Sequence, residues 1–124
     1  MEIDRATILV VEDEDVIRLS LRDYLVKKGY QVLVASEGVG AIKELLDNHV
    51  DLIVTDYRME ILGGDYWIRF LKKYCHDMKV IITSGFLNSA FSIDYPVLYK
   101  PFEYTELERL IADMLAGGSG GSES

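Results

Sequence analysis

The chain has 124 residues, 49% of them hydrophobic and 27% charged, with a formal net charge of −8 and a pI near 4.7. That length suits one domain with a sizeable core, the composition argues against disorder, and the acidic balance excludes nucleic acid as a direct partner. No apolar run approaches the roughly 20 residues that span a bilayer, and Met1-Glu2-Ile3-Asp4 lacks the basic region of a signal peptide, so no membrane contact and a cytoplasmic location are expected.

In chain order, the first strand is expected at 8–11 (ILVV) and runs straight into the acids Glu12, Asp13, Glu14 and Asp15. A helix over 15–28 follows, with Ile17, Leu21, Tyr24 and Leu25 on one stripe and Gly29 as its stop. The second strand is read at 31–35. A helix near 38–48 aligns Val39, Ile42, Leu45 and Leu46, with Gly38 and Gly40 weakening its start.

The third strand, 52–55, is continuously apolar until Thr55 and ends on Asp56. Helical spacing over 65–76 places Trp67, Leu71 and Tyr74 together, and Tyr57, Tyr66 and Phe70 read with Trp67 as core aromatics rather than a ring-stacking site. A fourth strand at 80–83 leads through Thr83 to Ser84. The segment before the next strand has room for a short helix around 88–93.

A fifth strand at 97–99 precedes Lys100, and the last helix, 104–116, stacks Leu107, Leu110, Ile111, Met114 and Leu115, with Thr105 and Glu108 matching a capping box. Residues 1–116 then form one domain and 117–124 a flexible Gly/Ser tail, either a natural tether or a remnant of cloning. Cys75, the single cysteine, reads as a small buried thiol on a helix; His49 and His76 read as surface residues at helix ends.

Apolar strands alternating with helical segments are the signature of an α/β, doubly wound parallel sheet. In such sheets ligands bind beyond the carboxyl ends of the strands. Glu12 and Asp13 follow the first strand, Asp56 ends the third, Thr83 and Ser84 end the fourth, and Lys100 follows the fifth, so four strand ends aim polar groups at one rim. Carboxylates held together repel, and a hard cation with oxygen ligands, most plausibly Mg²⁺, offsets the repulsion and leaves positions for a phosphoryl oxygen. An aspartate there can attack phosphorus to give an acyl phosphate, with Lys100 and Ser84 placed to meet the transferring oxygens.

The motifs ILVVEDE, LIVTDYRM, VIITSGF and YKPF, in that order and at βα spacing, resemble the receiver domain of two-component response regulators over about residues 6–116. The resemblance implies a flavodoxin-like five-stranded sheet in order 2-1-3-4-5. It implies Asp56 as phospho-acceptor, and Glu12, Asp13, Asp56 and the backbone carbonyl of Arg58 as the Mg²⁺ site. Ser84 and Lys100 become the phosphoryl-stabilising and switch residues, with Pro101 in a cis Lys-Pro bond; Thr83, Val97 and Tyr99 are the further switch candidates.

A histidine kinase or histidine phosphotransfer protein is then the donor and an output domain or target protein the reader, while a homodimer stays open. The chain is not an enzyme beyond taking part in its own phosphorylation and dephosphorylation.

Three departures bear on switching. Glu60 stands where the family carries a proline, Val97 where an aromatic is usual, and the fourth helix is short or irregular. They motivate an alternative, a non-switching pseudo-receiver that acts as a docking module. A phosphatase, or a flavin or nucleotide carrier, on a similar sheet is disfavoured, because no second aspartate follows Asp56 by two residues and residues 35–40 form no GxGxxG loop.

Taken singly, each site residue has a plainer role. Glu14 and Asp15 suit a solvated first helical turn, Asp56 a cap, Ser84 a turn beside Gly85, and Lys100 or Arg58 the surface. Convergence at four strand ends is what favours the site.

Overall fold

A computed structural model describes residues 5–57, 64–85 and 95–117 of the chain. In order, the elements are β1 (Thr7–Val11), α1 (Asp15–Lys27), β2 (Gln31–Ala35), α2 (Gly38–Asp47), β3 (Leu52–Asp56), α3 (Gly64–Tyr74), β4 (Lys79–Ser84), β5 (Val97–Tyr99) and α4 (Tyr104–Gly117). All strand pairs are parallel and the sheet order is β2-β1-β3-β4-β5, as the resemblance implied. The short helix expected at 88–93, Arg58, Glu60 and the tail 118–124 lie outside the described residues.

Strand alternation divides the core in two. Ile8 and Val10 of β1, Leu52 and Val54 of β3 and Ile81 of β4 pack with Leu21 and Leu25 of α1 and Leu107 and Ile111 of α4. Leu9, Val11, Ile53, Val80 and Ile82 face the other way, onto Ala41 of α2 and Trp67, Ile68 and Leu71 of α3. Both faces of the sheet are covered, which is why β1, β3 and β4 need unbroken apolar runs.

The stripes predicted for α1 and α4 are those that pack, and Gly29 adopts φ +103°, a conformation open to glycine at little cost. Two other stripes differ. In α2 the inward face is Ala41, Ile42 and Leu45, while Val39 and Leu46 are exposed. The reason is steric: Gly38 abuts Trp67, and a Cβ on it would lie 3.0 Å from the Trp67 Cβ, so α2 turns its smallest residues toward α3. In α3, Tyr66 and Tyr74 point outward, leaving Trp67 and Leu71 as the buried pair.

Two local expectations are corrected as well. The start of α4 is closed by Glu106, whose side chain accepts from the Glu103 N–H at 3.1 Å, one residue before the helix rather than at Thr105. Cys75 sits half-buried just past the end of α3 and not within it. His49 and His76 are exposed as expected.

At the amino-terminal rim, Asp51 Oδ2 accepts from the Thr7 N–H at 2.8 Å, Oδ1 meets His49 Nε2 at 2.8 Å, and the Asp51 N–H donates to the Thr7 carbonyl at 2.8 Å. Burial pushes the Asp51 carboxyl up, but the Thr7 and His49 contacts outweigh it and hold it below its usual value of 3.8. A depressed folded-state value contributes stability that is present above 3.8 and lost as pH falls below it. Asp51→Ala is therefore expected to lower stability at neutral pH by about 1–2 kcal/mol, discounted for the partly exposed site. Urea denaturation should show the gap to wild type narrowing in acid; a gap that is constant with pH would disprove the linkage.

Candidate functional site

The opposite rim is built by extending the sheet's own hydrogen-bond ladders one residue past the strands. Glu12 donates its N–H to the Ala35 carbonyl at 3.0 Å, Tyr57 to Thr83 at 2.8 Å, and Lys100 to Ser84 at 2.7 Å. These backbone bonds set the positions from which the acids and the lysine project. The Lys100-Pro101 bond is cis.

Glu12, Asp13 and Asp56 each offer a carboxylate oxygen, and these three oxygens lie within 4.8 Å of one another. Lys100 Nζ reaches in from β5, 3.0 Å from Asp56 Oδ1 and 3.3 Å from Glu12 Oε1. The Asp56 side chain is 5% exposed, Glu12 3% and Lys100 24%, so these charges interact in a partly desolvated cleft. Burial, then the charge of Asp56, push the Glu12 carboxyl above its ordinary value, against the Glu14 N–H and Lys100 that favour its ionised form. Burial also works against the Lys100 ammonium, but the hydrogen bond and charge of Asp56, followed by Glu12, more than offset it and raise its pKa. The lysine stays charged.

The remaining expected residues lie in or beside β4, β5 and the start of α1. Thr83 is paired with Asp56 across β3 and β4, and Ser84 is fully buried at the end of β4. Val97 packs with the α2 and α3 core, and Tyr99, two residues on, is exposed. Pro101 is exposed. Glu14 and Asp15 are exposed at the start of α1, as a solvated first turn should be.

Two supporting residues escaped the sequence. Arg18, largely buried, donates through Nη1 to the Glu12 carbonyl at 2.9 Å and through Nη2 to Asp15 at 2.6 Å, tying α1 to the acidic loop. An arginine three residues into a helix that begins at an acid string was its available signal. Thr55, next to Asp56, accepts from the Trp67 indole at 3.0 Å, a bond between β3 and α3 that spacing does not reveal.

Three clustered hard oxygen donors are the kind of ligand set that suits a small divalent cation. The sequence matches the response regulator receiver domain family over residues 8–112. The chain belongs to that family.

Among the relatives of this receiver domain, the sensor kinase CckA of Brucella abortus is 36% identical over 118 residues, 89% of this chain and 12% of that protein. The probable transcriptional regulator ycf27 of Cyanophora paradoxa is 35% identical over 123 residues, 93% of this chain and 50% of that protein. The receiver domain thus spans half or less of the length of these relatives.

Among solved structures, the Francisella response regulator 1452 receiver domain superposes with a TM-score of 0.81 at 24% identity, over 93% of this chain and 100% of that one. TrrA of Thermotoga maritima, solved in complex with Mg(2+)-BeF, gives 0.77 at 28% identity, over 88% and 98%. Receiver domains are signalling modules of two-component systems that work with histidine kinases and output domains and normally bind Mg²⁺ at an acidic pocket; this chain has an acidic cluster of Glu12, Asp13 and Asp56. Among the described residues no helix is long and apolar enough to cross a membrane.

Proposed function

We propose that this receiver domain is a phosphorylation-dependent cytoplasmic switch that takes a phosphoryl group onto Asp56 from a histidine kinase or histidine phosphotransfer protein. The observation that carries this is Lys100 Nζ at 3.0 Å from Asp56 Oδ1 beside two further carboxylates. Glu12, Asp13, Asp56 and the Arg58 carbonyl are the proposed Mg²⁺ ligands; when bound, the ion neutralises the acids and screens the incoming phosphoryl charge. An Asp56 oxygen attacks phosphorus as the P–N bond to the donor imidazole breaks, and the bonding pair stays on the imidazole nitrogen. The Lys100 ammonium then turns from the carboxylate to a phosphoryl oxygen.

In this reading Ser84, at the end of the strand beside β3, follows the new charge, and Thr83, Val97, Tyr99 and Pro101 respond with it. An output domain or target protein, or a second copy in a homodimer, reads the shift.

Incubation with Mg²⁺ and acetyl phosphate should add the mass of one phosphoryl group, labile to hydroxylamine, and chelation of the metal should suppress it. An unmodified mass with Mg²⁺ present defeats the proposal. Lys100→Ala should leave the fold intact but slow uptake by about 10²-fold or more, the usual cost of removing one preorganised charge from a transition state. A variant with the wild-type rate would remove Lys100 from the chemistry.

The docking-module alternative is favoured by one feature, Val97 packed into the α2 and α3 core where an aromatic is usual, with Tyr99 outside it. Mg²⁺ binding without phosphoryl uptake would select it.

A further inference from the structure

Every polar atom of Glu12 is held. Its N–H donates to the Ala35 carbonyl at 3.0 Å, Oε2 accepts from the Glu14 N–H at 3.2 Å, Oε1 meets Lys100 Nζ at 3.3 Å, and its carbonyl accepts from Arg18 Nη1 at 2.9 Å. The sheet, the acidic loop and Lys100 supply the first three contacts; the last comes from a side chain that belongs to none of these. Arg18 lies in the first turn of α1, and its side chain runs back past the amino end of the helix, where Asp15 Oδ1 accepts from Nη2 at 2.6 Å. A cation there opposes the helix dipole, so helix stability alone does not favour the placement. The side chain is nevertheless 15% exposed and fixed at both guanidinium ends.

The Glu12 carbonyl and the Asp13 N–H are two edges of one planar peptide unit. Holding the carbonyl therefore holds the plane from which Asp13 departs, and with it the direction of a carboxylate that shares the 4.8 Å cluster with Glu12 and Asp56. We propose that Arg18 is a positioning residue for divalent-cation binding: through the Glu12 carbonyl it sets the Glu12-Asp13 peptide so that the acids converge before the ion arrives. Its role presupposes the Mg²⁺ pocket of the proposed function. Such preorganisation is needed because like-charged carboxylates repel and spread apart when nothing holds their backbone. The sign of the effect separates positioning from charge. If Arg18 acted on the ion only as a nearby cation, its removal would relieve repulsion and tighten Mg²⁺ binding, whereas loss of positioning weakens it.

The test is a titration of Mg²⁺ into isotope-labelled protein without phosphodonor, followed by amide shifts. The Kd should rise about tenfold or more in Arg18→Ala and in Arg18→Gln, the usual cost of losing a group that orients metal ligands from behind. In Arg18→Lys it should fall between these and wild type, because an ammonium can meet the Glu12 carbonyl but does not span to Asp15 as the planar fork does. Arg22→Ala removes the same charge from α1 at a residue bonded to Asp23 and should keep the wild-type Kd. In the metal-free protein the Glu14 amide, whose N–H Glu12 accepts, should exchange with water faster in Arg18→Ala. Circular dichroism checks that each variant is folded. An unchanged or tighter Kd in Arg18→Ala, or in Arg18→Gln should alanine prevent folding, would overturn the positioning role and leave the Mg²⁺ pocket standing. No binding by the wild type would remove the pocket and the positioning role together.

Discussion

Asp56→Asn is expected to abolish phosphoryl uptake and keep the fold. Asparagine matches aspartate in shape but has no carboxylate oxygen to attack phosphorus, so the loss is complete rather than graded. The fold survives because Asp56 sits at the end of β3, where its N–H and carbonyl belong to the backbone and its side chain projects to the rim. Lys100 retains Glu12 at 3.3 Å. Removing the Asp56 charge also removes the second cause of the raised Glu12 pKa, so Glu12 should ionise more readily in the variant.

The metal provides a second readout. At Mg²⁺ a hundredfold above its Kd, the wild type should gain about 2.7 kcal/mol, or about 10 °C in melting temperature. Asp56→Asn should lose most of that gain together with all of the mass increase. An equal mass gain in variant and wild type would place the acceptor elsewhere.

Trp67→Ala should lower stability by about 3–5 kcal/mol, a large share of the roughly 5–15 kcal/mol that domains of this kind possess. Trp67 is 4% exposed, stacks on Phe70 at 6.1 Å between ring centres, and fills the space that Gly38 leaves at the contact of α2 and α3. Its indole N–H also satisfies the buried Thr55 hydroxyl at 3.0 Å. The variant therefore leaves a cavity and a buried hydroxyl without its donor, costs that fall on top of the lost apolar burial.

Because Thr55 precedes Asp56, the slackened end of β3 should also weaken Mg²⁺ binding. Trp67 is the single tryptophan, so circular dichroism rather than intrinsic fluorescence must follow the urea transition. Trp67→Phe, which keeps one aromatic ring but loses the N–H and part of the volume, should fall between wild type and Trp67→Ala. A loss below about 1 kcal/mol for Trp67→Ala would show that α3 is held by other contacts.

What could be read from the sequence were features governed by local period and by strand ends. The unbroken apolar runs of β1, β3 and β4 declared a sheet covered on both faces, and the stripes of α1 and α4 named the residues that fill one of its two cores. The acids after β1 and β3 and the lysine after β5 could be placed at one rim because parallel strands bring their carboxyl ends to the same side.

The features that only the tertiary structure decided depend on groups distant in the chain. Gly38 faces Trp67, so α2 turns Ala41 inward and exposes Val39 and Leu46 against their hydrophobic period. Arg18 grips the Glu12 carbonyl, Thr55 takes the Trp67 indole, and Glu106 rather than Thr105 closes the start of α4. Hydropathy records how much each residue avoids water. It carries no information on which neighbour occupies a given volume or which donor meets a given acceptor, and those are settled when the layers pack.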